Sequence, residues 1–222
     1  MILAIDGSTN WCCIALAKGS SLVAEKGWLS KRGHTVDLTS EIAATLRQVG
    51  ATLEQIEGVV VATGPGSFSG LRAAMAVAKG IAFARGIPIV GIPTMDALAA
   101  LAYPSPYPVW CIIQLGRGRV AAARYRVDAL PPQRLDPYGI YVRGRLPVPV
   151  GATDKILGDW DAVAEPVTKG HVAVAVPWWG IRHCASLAYL GGLRLQTQGP
   201  DDPLTLEPIY VSGPPAPGSA QL

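Results

Sequence analysis

Histidine is scarce in this sequence: His34, His171 and His183 are the only three among 222 residues. No two of them stand four apart, so the helical pair that grips one metal ion from a single face is missing. The four cysteines, Cys12, Cys13, Cys111 and Cys184, show no C-x-x-C spacing. That excludes the zinc-ribbon and thioredoxin-like patterns and leaves small buried hydrophobes of a reducing cytosol. Charge is sparse too, at 16% of residues with a net of +3, too little to announce a nucleic-acid binder. Long apolar runs are also missing. The window from Ala73 to Ile92 carries Lys79, Arg85 and Pro88, so no membrane span is expected. No basic n-region or cleavage site opens the chain, and the expectation is a cytoplasmic protein. Half of the residues are hydrophobic, which supports a sizeable core and excludes global disorder. The length suits one compact domain or two lobes.

The stretch Thr63-Gly64-Pro65-Gly66-Ser67-Phe68-Ser69-Gly70-Leu71-Arg72 organises what is there. Before it, Gly58 to Ala62 is a short β-branched run bounded by glycine, the pattern of a buried strand. After it, Leu71 to Arg85 contains no proline and is mostly small or aliphatic, which predicts a helix. Gly64-Pro65-Gly66 is turn chemistry, and Ser67 and Ser69 offer oxygens to the free N–H groups of the first helical turn. Strand, tight loop and capped helix can hold an anion at the helix start, with Asp6, Gly64, Gly66, Ser67 and Ser69 as its candidates. The alternative is a turn that only launches a helix. A Walker loop is excluded, since Leu71-Arg72 follow Gly70 where Lys and Ser or Thr would be needed. A nucleophile elbow is excluded as well, because the middle residue of Gly66-Ser67-Phe68-Ser69-Gly70 is Phe68.

Along the chain, Met1 to Asp6, Trp11 to Ala17 and Leu22 to Leu29 read as an antiparallel meander with tight turns. Val36, Leu38, Ile42, Ala43 and Leu46 recur at helical spacing, predicting an amphipathic helix from His34 to Val49. Thr52 to Gln55 has capping-box form and begins a short helix. A strand at Ile87 to Ile92 and a helix capped by Thr94 complete the order βββαβαβα. That order resembles the ribonuclease-H-like lobe of actin-type ATPases. Tyr103 to Pro108 is a proline-rich boundary, so the first lobe is expected over 1–103, the boundary over 104–108 and a smaller second lobe over 109–211. In that lobe Val109 to Leu115 and Arg119 to Val127 pair as a hairpin. Lys155 to Trp160 and Val172 to Val176 are strand candidates, and Ile181 to Gly191 reads as a helix. The Pro/Gly/Ser tail, 212–222, is expected to be disordered.

The string Gly-Pro-Gly-Ser-Phe-Ser-Gly-Leu-Arg resembles the signature of the bacterial TsaB family. Ala4-Ile5-Asp6 with Ser8-Thr9, Gly33-His34-Thr35, Gly91-Ile92-Pro93-Thr94-Met95 and Glu207-Pro208-Ile209-Tyr210-Val211 are similar to other anchors of that family. Gln114-Leu115-Gly116-Arg117 departs from its acidic hairpin string. The resemblance implies a two-lobed actin-like α/β fold, the second lobe reduced. It further implies a non-catalytic subunit of tRNA threonylcarbamoyladenosine synthesis. Its partners would be the TsaD catalytic subunit, the TsaE ATPase and tRNA within the complex, and alone it would self-pair as a homodimer. No cofactor of its own is implied, and at most weak ATP or ADP binding at the complex interface.

The rival readings are a metallopeptidase or an ATP-dependent phosphotransferase of the same superfamily. Leu38 stands four after His34, where the catalytic relative has a second histidine, and a second phosphate loop is missing. Neither a metal site nor catalytic residues are therefore assigned. Asp6 has the simpler use of closing its own turn. The partner interface is expected on first-lobe helices, at Ala73, Ala76, Val77 and Gly80 with His34 and Leu38. The stretch from Leu71 to Ala84 carries only Arg72 and Lys79 as charges, and its small residues let a second helix approach. Seven arginines and two acids lie between Arg117 and Arg145. Arg117 and Arg119, and Arg124 and Arg126, are spaced to share strand faces and are candidates for tRNA contact, the alternative being a solvated face.

Overall fold

The computed structural model describes residues 1–30, 34–143, 155–159 and 183–211. The candidate strand Val172 to Val176, His171 and the tail 212–222 lie outside the described residues, as does the side chain of His34.

The first unit takes Met1–Ala97 and His183–Ile209. Its sheet runs β3 (Ser21–Leu29), β2 (Trp11–Lys18), β1 (Ile2–Asp6), β4 (Gly58–Ala62), β5 (Ile89–Ile92). β1, β2 and β3 are antiparallel neighbours, as the two tight turns predict, while β4 and β5 run parallel to β1. This mixed α/β arrangement has the order of strands and helices that the sequence predicts. The two-residue alternation of the strands sorts their side chains by face. Leu3, Ile5, Ile14, Leu16, Val59 and Val61 join Leu38, Ile42 and Leu46 of α1 (His34–Gln48) in one core. Ala74, Met75, Ala78 and Ala82 of α2 (Phe68–Arg85) close that core. Thr52 begins a single 3-10 turn, Leu53–Gln55, with its N–H donating to Gln55 Oε1 at 2.9 Å. α3 spans Thr94–Ala100.

The second unit starts at Leu98. It holds the hairpin β6 (Ser105–Gly116) and β7 (Arg119–Val127), with β8 (Gln133–Arg134) and β9 (Gly139–Val142) on β7 and β10 (Lys155–Gly158) parallel to β6. Pro106 and Pro108, expected in a separate boundary over 104–108, lie inside β6 instead. The β6–β7 register jumps between Ser105 and Val109, so the prolines occupy a stretch with no regular ladder to break.

The helix foreseen from Ile181 to Gly191 runs as α4 (Cys184–Thr197), and it belongs to the first unit rather than to the second lobe. It covers the sheet face opposite α1 and α2. Glycines in a helix weaken it, but here they permit close approach. A Cβ on Gly191 would lie 2.3 Å from the Val60 side chain, and one on Gly192 would meet Ile2 at 3.3 Å. After α4, Asp201 bridges Ile89 at the free edge of β5. Its carboxylate accepts from Gly91 N at 2.7 Å and from Arg194 at 2.5 Å. Among the described residues no helix is long and apolar enough to cross a membrane.

Candidate functional site

Three surfaces carry the residues singled out by sequence. The first is the signature loop. Ser67 caps α2 as expected, its Oγ accepting from Gly70 N at 3.4 Å. Ser69 does not cap: it is exposed, its hydroxyl 3.4 Å from that of Ser67. The loop closes onto the β1–β2 turn. Ser67 N donates to the Ser8 carbonyl at 2.5 Å. A Cβ on Gly66 would fall 2.2 Å from that same oxygen, and a Cβ on Gly70 2.1 Å from the Gly7 carbonyl. The glycines thus serve backbone-to-backbone contact. Gly64, at φ +102°, takes a conformation that other residues rarely adopt. Its N–H donates to Thr94 Oγ1 at 3.0 Å and its carbonyl accepts from Thr94 N at 2.8 Å.

Asp6 is buried, and its Oδ1 accepts from Ser8 N at 2.7 Å, the turn-closing use. Asp6, Gly64, Gly66 and Ser67 therefore come together, but two of the N–H groups an anion would use, on Ser67 and Gly70, are spent inside the loops. The Ser8 and Thr63 hydroxyls are buried with no hydrogen-bond partner among the described residues. Among those residues no group of three His, Cys, Asp or Glu is placed to hold a metal ion.

The second surface is the outer side of α2. Phe68, Arg72, Ala76, Gly80 and Phe83 follow one another at steps of four, four, four and three, so they form one stripe. All five are exposed, Phe83 by 84% and Phe68 by 54%. The Arg72 guanidinium lies 4.0 Å above the Phe68 ring. A Cβ on Gly80 would meet nothing within 4 Å. Ala73 is half-buried at the margin of the stripe. Two residues expected on this surface are not there. Val77 and Leu38 point into the core beneath, because each lies on the side of its helix that covers the sheet. A helix rich in apolar residues throughout shows a periodicity too weak to separate Ala76 from Val77.

The third surface is the β6–β7 hairpin. Arg117 lies in the turn, at φ +54° between two glycines of positive φ, and not on a strand face with Arg119. Arg124 and Arg126 do share a face of β7, with Arg119 on the other. Arg126 donates to Gln133 and lies 3.8 Å from the Asp128 carboxylate. Arg124 is half-buried, opposite Trp110 in the ladder. The Arg134 guanidinium sits 4.2 Å above the Tyr138 ring, a stacked pair that the spacing of charges did not reveal. Gln114, in the string that departs from the acidic pattern, donates its N–H to the Asp159 carboxylate at 2.6 Å.

A family model described as TsaD, tRNA N6-adenosine threonylcarbamoyltransferase, matches residues 28–130, which include the loop and α2. The tRNA threonylcarbamoyladenosine biosynthesis protein TsaB of Haemophilus influenzae is 33% identical over 103 residues, 46% of this chain and 43% of that protein. TsaB of Bacillus subtilis is 28% identical over 159 residues, 72% of this chain and 63% of that one. The chain spans about half the length of the curated relatives it matches. The solved structure of YeaZ from Pseudomonas aeruginosa superposes with a TM-score of 0.77 at 22% identity, covering 94% of this chain and 99% of that one. At that identity the likeness speaks for the fold alone. The family match takes in the signature loop and, together with the relatives named TsaB, supports a TsaB-family protein.

Proposed function

We propose that this chain acts in tRNA threonylcarbamoyladenosine biosynthesis as a subunit without catalysis of its own. It docks a TsaD-type catalytic subunit through the outer stripe of α2, and a TsaE-type ATPase and tRNA join that assembly. The observation that carries the reading is the stripe itself: two exposed phenylalanines flank a small-residue path at Ala76 and Gly80. Exposed aromatics beside a surface without bulky side chains suit a second helix packing closely, and their burial repays association. In the absence of that partner the same stripe pairs with a second copy. The chain holds no cofactor of its own, and ATP or ADP binds weakly, at the complex interface. The exposed arginines of the hairpin touch tRNA phosphates within the complex.

The test is co-expression of the tagged chain with the TsaD-type subunit from the same cell. The two should elute together, and threonylcarbamoyl transfer to tRNA should require both. Transfer or peptide hydrolysis by the chain alone, or separate elution, overturns the proposal.

A further inference from the structure

All four cysteines are buried and free, and two from distant parts of the sequence meet. Cys13 lies in β2, between Asp6 of β1 and Gly27 of β3. Cys184 is the first residue of α4. Their sulfurs are 2.9 Å apart, and the Cys184 sulfur is also 2.9 Å from the Cys13 carbonyl oxygen. A disulfide needs about 2.05 Å, so a closing movement of roughly 0.9 Å would join them. Glu25 of β3 holds the helix start in place on both sides of Cys184. One carboxylate oxygen accepts from Ala185 N at 2.9 Å, and the other meets His183 Nδ1 at 3.2 Å. The helix therefore cannot slide Cys184 away from Cys13 without breaking that clamp. Cys12 is next to Cys13 in β2 and so points to the opposite face, while Cys111 sits in the second unit.

We propose that Cys13 and Cys184 are a modification site, oxidised by hydrogen peroxide to an intrachain disulfide that fastens α4 to β2. One thiol loses its proton and its sulfur attacks a peroxide oxygen. The O–O bond breaks, leaving a sulfenic acid and one water. The second sulfur then attacks the sulfenic sulfur, the S–S bond forms, and the hydroxyl leaves with the second thiol's proton as another water. Two electrons pass from the sulfurs to the peroxide, which ends as two waters. Burial raises the Cys184 thiol well above its ordinary pKa, so the step is slow at neutral pH and selects for a small oxidant.

The full chain should be exposed to hydrogen peroxide, denatured, alkylated and mapped as peptides without reduction. The expected result is loss of two of the four alkylatable thiols and one cross-linked peptide pair containing Cys13 and Cys184. The thermal midpoint should rise and return on treatment with dithiothreitol. Cys184→Ser should abolish the cross-linked pair, whereas Cys12→Ser should leave it. The wild-type map stands even if a variant fails to fold. Four free thiols after exposure, cross-links through Cys12 or Cys111, or direct passage to sulfinic acid would each overturn the proposal.

Discussion

Gly70 rests against Gly7, so that a Cβ built on Gly70 would lie 2.1 Å from the Gly7 carbonyl oxygen. In most helices exchanging glycine for alanine stabilises by up to about 1 kcal/mol. Here it drives a methyl group into backbone that cannot give. Gly70→Ala should lose about 3 kcal/mol of stability in urea titration. Gly80→Ala, on the same helix with open space around it, should gain up to about 1 kcal/mol. Equal effects at both positions would refute a special role for the loop-to-turn contact.

The docking proposal separates residues that neighbour each other in sequence. Ala76→Arg and Gly80→Arg place a large cation on the exposed stripe, and each should abolish co-elution with the TsaD-type subunit while the cooperative melt persists. Val77→Arg and Leu38→Arg bury the same charge in the core and should unfold the chain. If the stripe variants still bind, the interface lies elsewhere.

Reversing charge at Arg124 and Arg126 should weaken tRNA binding by the assembled complex and flatten its salt dependence, leaving subunit assembly intact. Arg124 is half-buried, so Arg126 should show the larger effect alone. Binding that keeps its affinity and salt slope returns the hairpin to plain solvated surface.

Stability should also fall in alkali through one buried thiol. Burial is the chief cause that raises Cys184; its contact with Cys13 and the charges of Cys13, Asp6 and Glu25 act in the same direction. A thiol whose folded pKa is raised contributes stability that is full below the unfolded value, about 8.5, and is lost as pH rises through the folded value. The loss has a limiting slope of about 1.4 kcal/mol per pH unit. Urea midpoints at pH 7, 9 and 10 should drop more steeply for the wild type than for Cys184→Ser. Parallel curves would show that the thiol does not contribute.

The loop and α2 were legible because each depends on local chemistry: glycines where backbones touch, a serine at the cap, a proline-free run behind it. The meander was legible from its turns. What escaped depends on which surface covers which. Apolar periodicity marks α2 as helix, but Ala76 and Val77 differ only by the sheet beneath one of them. The placement of α4 escaped for a related reason. Ala4, Ala15 and Ala17 leave a flat face on the first sheet, and nothing in three alanines names the distant helix whose glycines fit it. The prolines of β6 misled because a register jump, invisible in sequence, makes room for them.

The return of α4 to the first sheet makes that unit discontinuous: its opening strands wait for a helix encoded far downstream. During synthesis the meander, α1 and α2 emerge well before the segment that covers their alanine face. For that interval the nascent sheet is closed on one side and bare on the other. Cutting the gene after the codon for Ala97 would not yield a portable half-protein but a sheet lacking one of its two covers. The second unit, by contrast, draws most of its residues from 98–182, between the two sequence segments of the first. It has the latitude to change in size and content while the strands on either side of it keep their fit.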